Sequence, residues 1–230
     1  MRLIGYNVSG GLDPASAGRI LAAQAPDVVC LTEIPPAGRL RALARLSGLD
    51  IVARAGRRGT GTAILAATSV LIRATTLVPL TTPRDVPARQ AAHAIVSVAG
   101  LGLSITAVQF GLRPEVRRTN LHELLAYLDT IEQPSVVSGD LNESVRSPVA
   151  AGLAARFQDA HAVAGSGAGL TYPTSDPSTR QDFVFVDPAL EVIRAEVLTA
   201  APVDVASHHR PVLVEVRAAV DDPEGGGWTS

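Results

Sequence analysis

Lysine is absent from this sequence, and cysteine occurs once. Arginine therefore carries all the fixed positive charge on side chains, and its planar fork grips a phosphate through two parallel hydrogen bonds. Cys30 has no partner for an intrachain disulfide. Its place inside the apolar run Val28-Val29-Cys30-Leu31 marks it as a buried structural thiol, not a nucleophile. Aromatic residues make up only 3% of the chain and the formal net charge is −2. Long nucleic acid favours a basic groove lined with aromatic platforms, and anionic membranes attract excess positive charge; neither is on offer. No apolar run is long enough to span a bilayer. Met1-Arg2 leads straight into Leu3-Ile4-Gly5-Tyr6-Asn7-Val8, with nothing like a signal peptide. A soluble, cytoplasmic protein with no evident protein partner is expected.

Hydrophobic content of 47% against 18% charged residues excludes a disordered chain, and 230 residues suffice for one sizeable core. Residues 2–8 read as a buried strand, 14–24 as a helix opened by Pro14, and 28–34 as a second buried strand ended by Pro35-Pro36. Leu40, Leu43, Ala44 and Leu46 then mark an amphipathic helix, giving β-α-β-α. From 50 to 110 the texture turns to β, with runs at 50–54, 61–67, 70–79, 91–98 and 103–110. Their close spacing predicts antiparallel neighbours and hence a mixed sheet. Pro114 opens a helix over 114–132, with Leu121, Leu124, Leu125, Leu128 and Ile131 on one face. Loops and short helical pieces fill 143–180, and strands return at 182–186, 191–199 and 211–217. The expected organisation is one domain over 1–219 and a disordered glycine-rich tail over 220–230.

The chemistry centres on Val136-Val137-Ser138-Gly139-Asp140-Leu141-Asn142. In an extended backbone residues i and i+2 share a side, so Asp140 and Asn142 face one small volume at a strand's C-terminal end. That is where α/β folds place their sites. Taken alone, the segment reads more readily as a strand followed by an Asx turn. Other strands are interrupted in the same way: by Asn7 and Glu33 near the ends of the first two, by Asp182 before Phe183-Val184-Phe185-Val186, and by Ser207-His208-His209-Arg210-Pro211 before the last. Carboxylates in apolar settings are costly to desolvate unless they are paired or bind a cation, and converging oxygens suit a hard divalent metal.

In order, Tyr6-Asn7-Val8, Pro26 to Glu33, Gly139 to Asn142, Arg180 to Val186 and Ser207 to Pro211 resemble the motifs of the endonuclease/exonuclease/phosphatase superfamily, the DNase I-like fold. Gly61 to Leu65 and the Thr171-Tyr172-Pro173 loop match in position. The resemblance implies an α/β protein: a four-layer α-β-β-α sandwich of two mixed sheets flanked by helices. It also implies metal-dependent cleavage of phosphate esters, with Mg²⁺ or Mn²⁺ as the cofactor. By matching position, Glu33 is the principal metal ligand and Asn7 supports the metal or orients Asp140. Asp140 activates or positions the attacking water, Asn142 holds phosphate or water, and Asp182 orients His209 towards the phosphoryl oxygens. Positioning and charge neutralisation dominate phosphoryl transfer, and a carboxylate fixes an imidazole's tautomer and favours its charge.

Two positions depart from the family pattern. His208 stands where an Asp is usual, which removes an anionic oxygen from the metal side or turns the site towards a softer metal. Gln109, in Val108-Gln109-Phe110, stands where a His is usual and can still hydrogen-bond to phosphate. Arg89 is a further candidate phosphate contact. The clusters Arg54, Arg57, Arg58 and Arg113, Arg117, Arg118 are candidate phosphate grips, and surface helix charge explains the second equally well. Blander readings stand beside these: Asn7 as a turn cap, Glu33 as a solvated strand end, and Asp182 paired with Arg180 or Arg210 only to balance charge. His93, His122 and His161 read as surface or satisfied core residues, Asp27 and Asp159 as turn caps. The expected substrate is a phosphate ester, either small molecule or nucleic acid. The alternative is a weakened or inactive member that binds a phosphorylated ligand or a protein partner through the same cleft.

Overall fold

The computed structural model describes residues 1–57, 59–86 and 88–219, so the expected tail and Arg58 lie outside the described residues. The chain opens with β1 (Arg2–Asn7), α1 (Pro14–Gln24), β2 (Val28–Thr32), α2 (Ala37–Ser47), β3 (Asp50–Ala55) and β4 (Thr62–Ala66). There follow β5 (Leu71–Leu80), β6 (Arg89–Val98), β7 (Leu101–Gln109), α3 (Pro114–Leu128) and β8 (Ser135–Asp140). The last part holds α4 (Pro148–Ala154), β9 (Gln158–Asp159), α5 (Ala160–Ala164), β10 (Asp182–Val186), β11 (Leu190–Val197), α6 (Val203–Ala206) and β12 (Val212–Ala218).

The strands form two six-stranded sheets, ordered β11-β12-β1-β2-β4-β3 and β5-β6-β7-β8-β10-β9. Each sheet has one parallel pair, β1 with β2 and β7 with β8, and the other pairings are antiparallel. Both sheets are therefore mixed, as expected. Alternation decides which side chains go where. Leu3, Val28, Cys30 and Ile64 of the first sheet meet Ala94, Ile105, Val136 and Val184 of the second in a core between the sheets. Ile4, Tyr6, Val29 and Leu31 point the other way, against α1 and α2. Val108, Val137 and Phe183 likewise pack on Leu121, Leu124 and Leu128 of α3. The result is the four-layer α-β-β-α sandwich.

Local signals account for the helix ends. Asp13 caps α1, its carboxylate accepting from the amides of Ala15 at 3.0 Å and Ser16 at 3.2 Å. Gly48, at φ 72°, closes α2 in the left-handed region. The helix expected over 114–132 stops at Leu128, because the next amides turn back three residues: Thr130 donates to Tyr127 and Ile131 to Leu128. The strand expected to reach Ile34 ends at Thr32, since Glu33 enters the left-handed region at φ 50°. Leu46 is exposed, away from the buried stripe of Leu40, Leu43 and Ala44. His93 is buried but only half satisfied: Nδ1 bonds Thr106 Oγ1 at 3.1 Å, and Nε2 has no partner among the described residues. Burial pushes its pKa down to about 4.

Candidate active site

The parallel pairs bring the candidate residues to one edge of the sandwich. Asn7 ends β1, Glu33 follows β2, Gln109 ends β7 and Asp140 ends β8. Asp182 begins β10, which runs antiparallel to β8 in a register that sets Asp182 beside Asp140. Gln109 stands on Asp140's other side. His209 precedes β12, the antiparallel neighbour of β1. C-terminal ends of parallel strands and N-terminal ends of antiparallel ones thus share a rim, as at the ligand crevices of α/β sheets. Gly139 is required there, because a Cβ would overlap the Val108 carbonyl oxygen on β7.

A hydrogen-bond network ties the two sheets together at this rim. Asn7 Nδ2 donates to Glu33 Oε1 at 3.1 Å and to Asp140 Oδ2 at 3.0 Å. Gln109 Nε2 donates to Glu33 Oε1 at 2.9 Å and to Asp140 Oδ2 at 3.4 Å, and its Oε1 accepts from Arg89 Nη1 at 2.7 Å. The Asn142 amide donates to Asp140 Oδ1 at 2.8 Å, so both carboxylate oxygens of Asp140 are held. Asn142 Nδ2 is spent on the Phe110 carbonyl at 2.9 Å. Three of the chain's non-glycine residues at positive φ, Ser9, Glu33 and Asn142, border this cluster, and such strain gathers at sites that the surroundings over-determine.

The second focus is Asp182 with His209, whose Nδ1 lies 2.8 Å from Asp182 Oδ2. Asp182 does not pair with Arg180, which is salt-bridged to Asp159, nor with Arg210, which donates to the Thr174 carbonyl. The carboxylate directs the Nδ1 proton towards itself and leaves Nε2 without a protein partner among the described residues. His209 is further fixed by the Tyr172 ring, 4.7 Å away between centroids. Thr171 Oγ1 accepts the amides of Gln181 and Asp182 at 3.1 and 3.2 Å, which anchors the carboxylate's strand. The sequence marked this loop by position only; the roles of Thr171 and Tyr172 follow from contacts that no local pattern encodes.

Burial and neighbouring charge shift the central groups. Burial pushes the Asp140 pKa up to about 6, with the Asp182 charge adding to the rise and His209 opposing it. Burial works against a charged His209, but Asp182, Asp140 and Glu33 outweigh it and hold the imidazole up at about 9. Arg89 is half-buried; burial lowers its pKa, and Asp140 and Glu33 resist the change. Three carboxylates therefore face one imidazolium and one guanidinium, a balance that favours an added cation.

The donor set fits a hard divalent cation of limited protein ligation. Glu33 is only partly buried, and its Oε2 has no protein partner among the described residues. Asn7 Oδ1 adds an amide oxygen that already accepts from Ser9 N at 2.9 Å. Among the described residues no three His, Cys, Asp or Glu side chains converge as a metal cage. Mg²⁺ commonly takes one or two carboxylates and completes its shell with water and substrate phosphate, whereas a Zn²⁺ site needs more protein ligands. His208 is exposed and joins the rim through its backbone: its amide donates to Ser9 Oγ at 3.1 Å and its carbonyl accepts from Thr174 N at 2.8 Å. Its ring makes no hydrogen bond among the described residues.

The remaining arginines separate. Arg117 is buried, donating to Glu143 Oε1 at 2.6 Å and to the Gly111 and Leu112 carbonyls. Arg113 pairs with Asp85 at 2.5 Å on the surface. Arg113 is thus surface charge, as one of the two expectations had it, whereas buried Arg117 is neither surface charge nor a phosphate grip. Asp159 caps α5 and pairs with Arg180, whereas Asp27 anchors the start of β1 by accepting from the Arg2 amide at 2.7 Å.

Known proteins share this arrangement of elements. A structure of a functionally unknown conserved protein from Enterococcus faecalis V583 superposes with a TM-score of 0.86 at 19% identity, covering 95% of this chain and 100% of that one. A mannosyl-6-phosphatase from Bacteroides thetaiotaomicron VPI-5482 gives 0.81 at 15% identity over 94% and 99%. TDP2 from D. rerio, complexed with single-strand DNA product, gives 0.75 at 20% identity over 95% and 99%. No curated protein matches the chain by sequence. The model of the Endonuclease/Exonuclease/phosphatase family does match, over residues 4–230, and the chain belongs to that family.

Proposed function

We propose that this protein is a metal-dependent hydrolase of phosphate esters, working by in-line attack of water. The observation that carries the reading is the meeting, at one rim, of a fully tethered Asp140 with the Asp182–His209 pair and the open carboxylate of Glu33. Family membership and the phosphatase and DNA-bound neighbours support a phosphoesterase of nuclease or phosphatase type.

In this reading Asp140 accepts a proton from the attacking water, and its raised pKa makes it a base suited to neutral pH. Asn7, Gln109 and the Asn142 amide hold that carboxylate in place, so no reorganisation is needed as the water deprotonates. His209, kept charged by Asp182, presents Nε2 to the phosphoryl oxygens as negative charge builds. Arg89 contacts a substrate phosphate, and Gln109, with its Nε2 spent on Glu33 and Asp140, positions Arg89 through its Oε1. A divalent cation held by Glu33, with Asn7 beside it, supplies charge neutralisation on the phosphoryl group.

The test is hydrolysis of 4-nitrophenyl phosphate and bis(4-nitrophenyl) phosphate with Mg²⁺ and with Mn²⁺. Activity on at least one ester, lost on chelation and reduced by on the order of 100-fold or more in Asp140→Asn, is expected. No hydrolysis of either ester with either metal overturns the reading. It favours instead a binding member of the family, in which His208 and Gln109 have removed the usual anionic and imidazole groups.

A further inference from the structure

Beside the carboxylate cluster lies a cavity of about 260 Å³, lined by Pro83, Val86, Leu112 and Val116 with Arg89 at its wall. Arg89 belongs to both places, since its Nη1 bonds Gln109, which in turn bonds Glu33 and Asp140. Its guanidinium has no carboxylate partner among the described residues, so the remaining donors are available to an anion.

The other polar side chains of the lining are already engaged. Thr82 Oγ1 donates to the Leu80 carbonyl at 2.9 Å and accepts the Arg89 amide at 3.1 Å, while Arg113 is paired with Asp85. An occupant therefore meets apolar walls and one cationic group, Arg89, that has no carboxylate partner among the described residues. The volume falls below the roughly 300–1,000 Å³ of pockets that enclose a drug-sized ligand, so one ring or a short branched chain fills it.

The walls are rigidly held. Three successive carbonyls, those of Phe110, Gly111 and Leu112, each accept a side-chain donor: Asn142 Nδ2 on the first and Arg117 on the other two. Arg117 is fixed in turn by Glu143. The facing loop is tied to α3, because Asn120 Nδ2 donates to the Thr81 carbonyl at 2.8 Å and Glu123 accepts the Thr81 amide at 2.8 Å. This scaffold holds Leu112 with 73% of its surface exposed. A wall held in place before binding lowers the entropy lost when a ligand settles against it.

We propose that this cavity is a substrate-side subsite, selecting phosphate esters that carry a compact apolar group, a single aromatic ring or a branched alkyl chain, with Arg89 on the phosphate. The inference rests on the hydrolase reading above and names its substrate class. Phenylphosphonate and methylphosphonate, which resist hydrolysis, separate the two when titrated calorimetrically into the full chain with Mg²⁺ present. Phenylphosphonate is expected to bind about tenfold tighter, the effect of burying one ring. Leu112→Ser and Val86→Ser should narrow that gap, and Arg89→Gln should weaken both ligands together. Both altered apolar side chains are exposed, so the fold is retained. Equal binding of the two phosphonates, or a gap untouched by Leu112→Ser and Val86→Ser, overturns the subsite while ester hydrolysis stands. Binding of neither phosphonate, with no ester hydrolysed, overturns both.

Discussion

Asp140 and His209 are buried titratable groups displaced from their ordinary values in ways that leave both charged around neutral pH. Asp140 takes up a proton as pH falls through about 6, and His209 loses one as pH rises through about 9. The proposed hydrolysis needs an ionised Asp140 and a charged His209, so kcat/KM should trace a bell with limbs near those values. Asp182 raises both pKa values. Asp182→Asn should therefore move both limbs to lower pH and reduce the maximum by on the order of 100-fold. A profile with unmoved limbs would show that Asp182 does not act through these groups. Stability follows the same linkage. The folded pKa of His209 lies above its ordinary 6.5, so the pair's contribution is complete below about 6.5 and is lost as pH rises through about 9. Denaturant midpoints of wild type and Asp182→Asn should accordingly converge at alkaline pH.

At the scale of the element, the site depends on how closely β7 and β8 lie. Glycine at 139 lets the Val108 carbonyl sit where a Cβ would be, and that approach sets Gln109 beside Asp140. Gly139→Ala must push the strands apart or distort β8. A loss of about 2–3 kcal/mol is expected in urea unfolding, with a fall in activity larger than that loss explains. A variant with native stability and activity would mean that the strands absorb the extra atom without moving the site. The same elements show what a one-dimensional reading can reach. Alternation and proline placement located nearly every strand and helix start, because those signals are local. The short β9 and α6 carry too few residues for periodicity, and α3 ended three residues before its last apolar position because the backbone tightened.

The whole molecule is held by a core that both sheets build. Leu3, Cys30 and Ile64 of one sheet pack with Ile105, Val136 and Val184 of the other, so neither sheet buries its inner face alone. We expect the described residues to unfold as one domain. Far- and near-ultraviolet circular dichroism should then report coincident thermal transitions, and two separated transitions would indicate independently folding halves. The rim network belongs to this scale too. Asn7 stands 133 residues from Asp140 and bonds it across the sheet interface, so the site forms only when the sandwich closes.

The sequence by itself determined the strands, the kind of side chain at each strand end, and the order of motifs that marks the family. These rest on local alternation and residue chemistry, which survive without coordinates. It also left Asp182 with three possible partners and His208 with a metal-side position by analogy. Only the tertiary structure decided that Asp182 meets His209 and Arg180 meets Asp159, that the His208 ring is exposed, and that Arg89 links the carboxylate cluster to an apolar cavity. Arg117 read as a phosphate grip or surface charge, yet it is buried as the clamp of that cavity's wall. Such pairings depend on how two sheets close and where loops from distant parts of the chain come to rest, and no spacing along one segment records that.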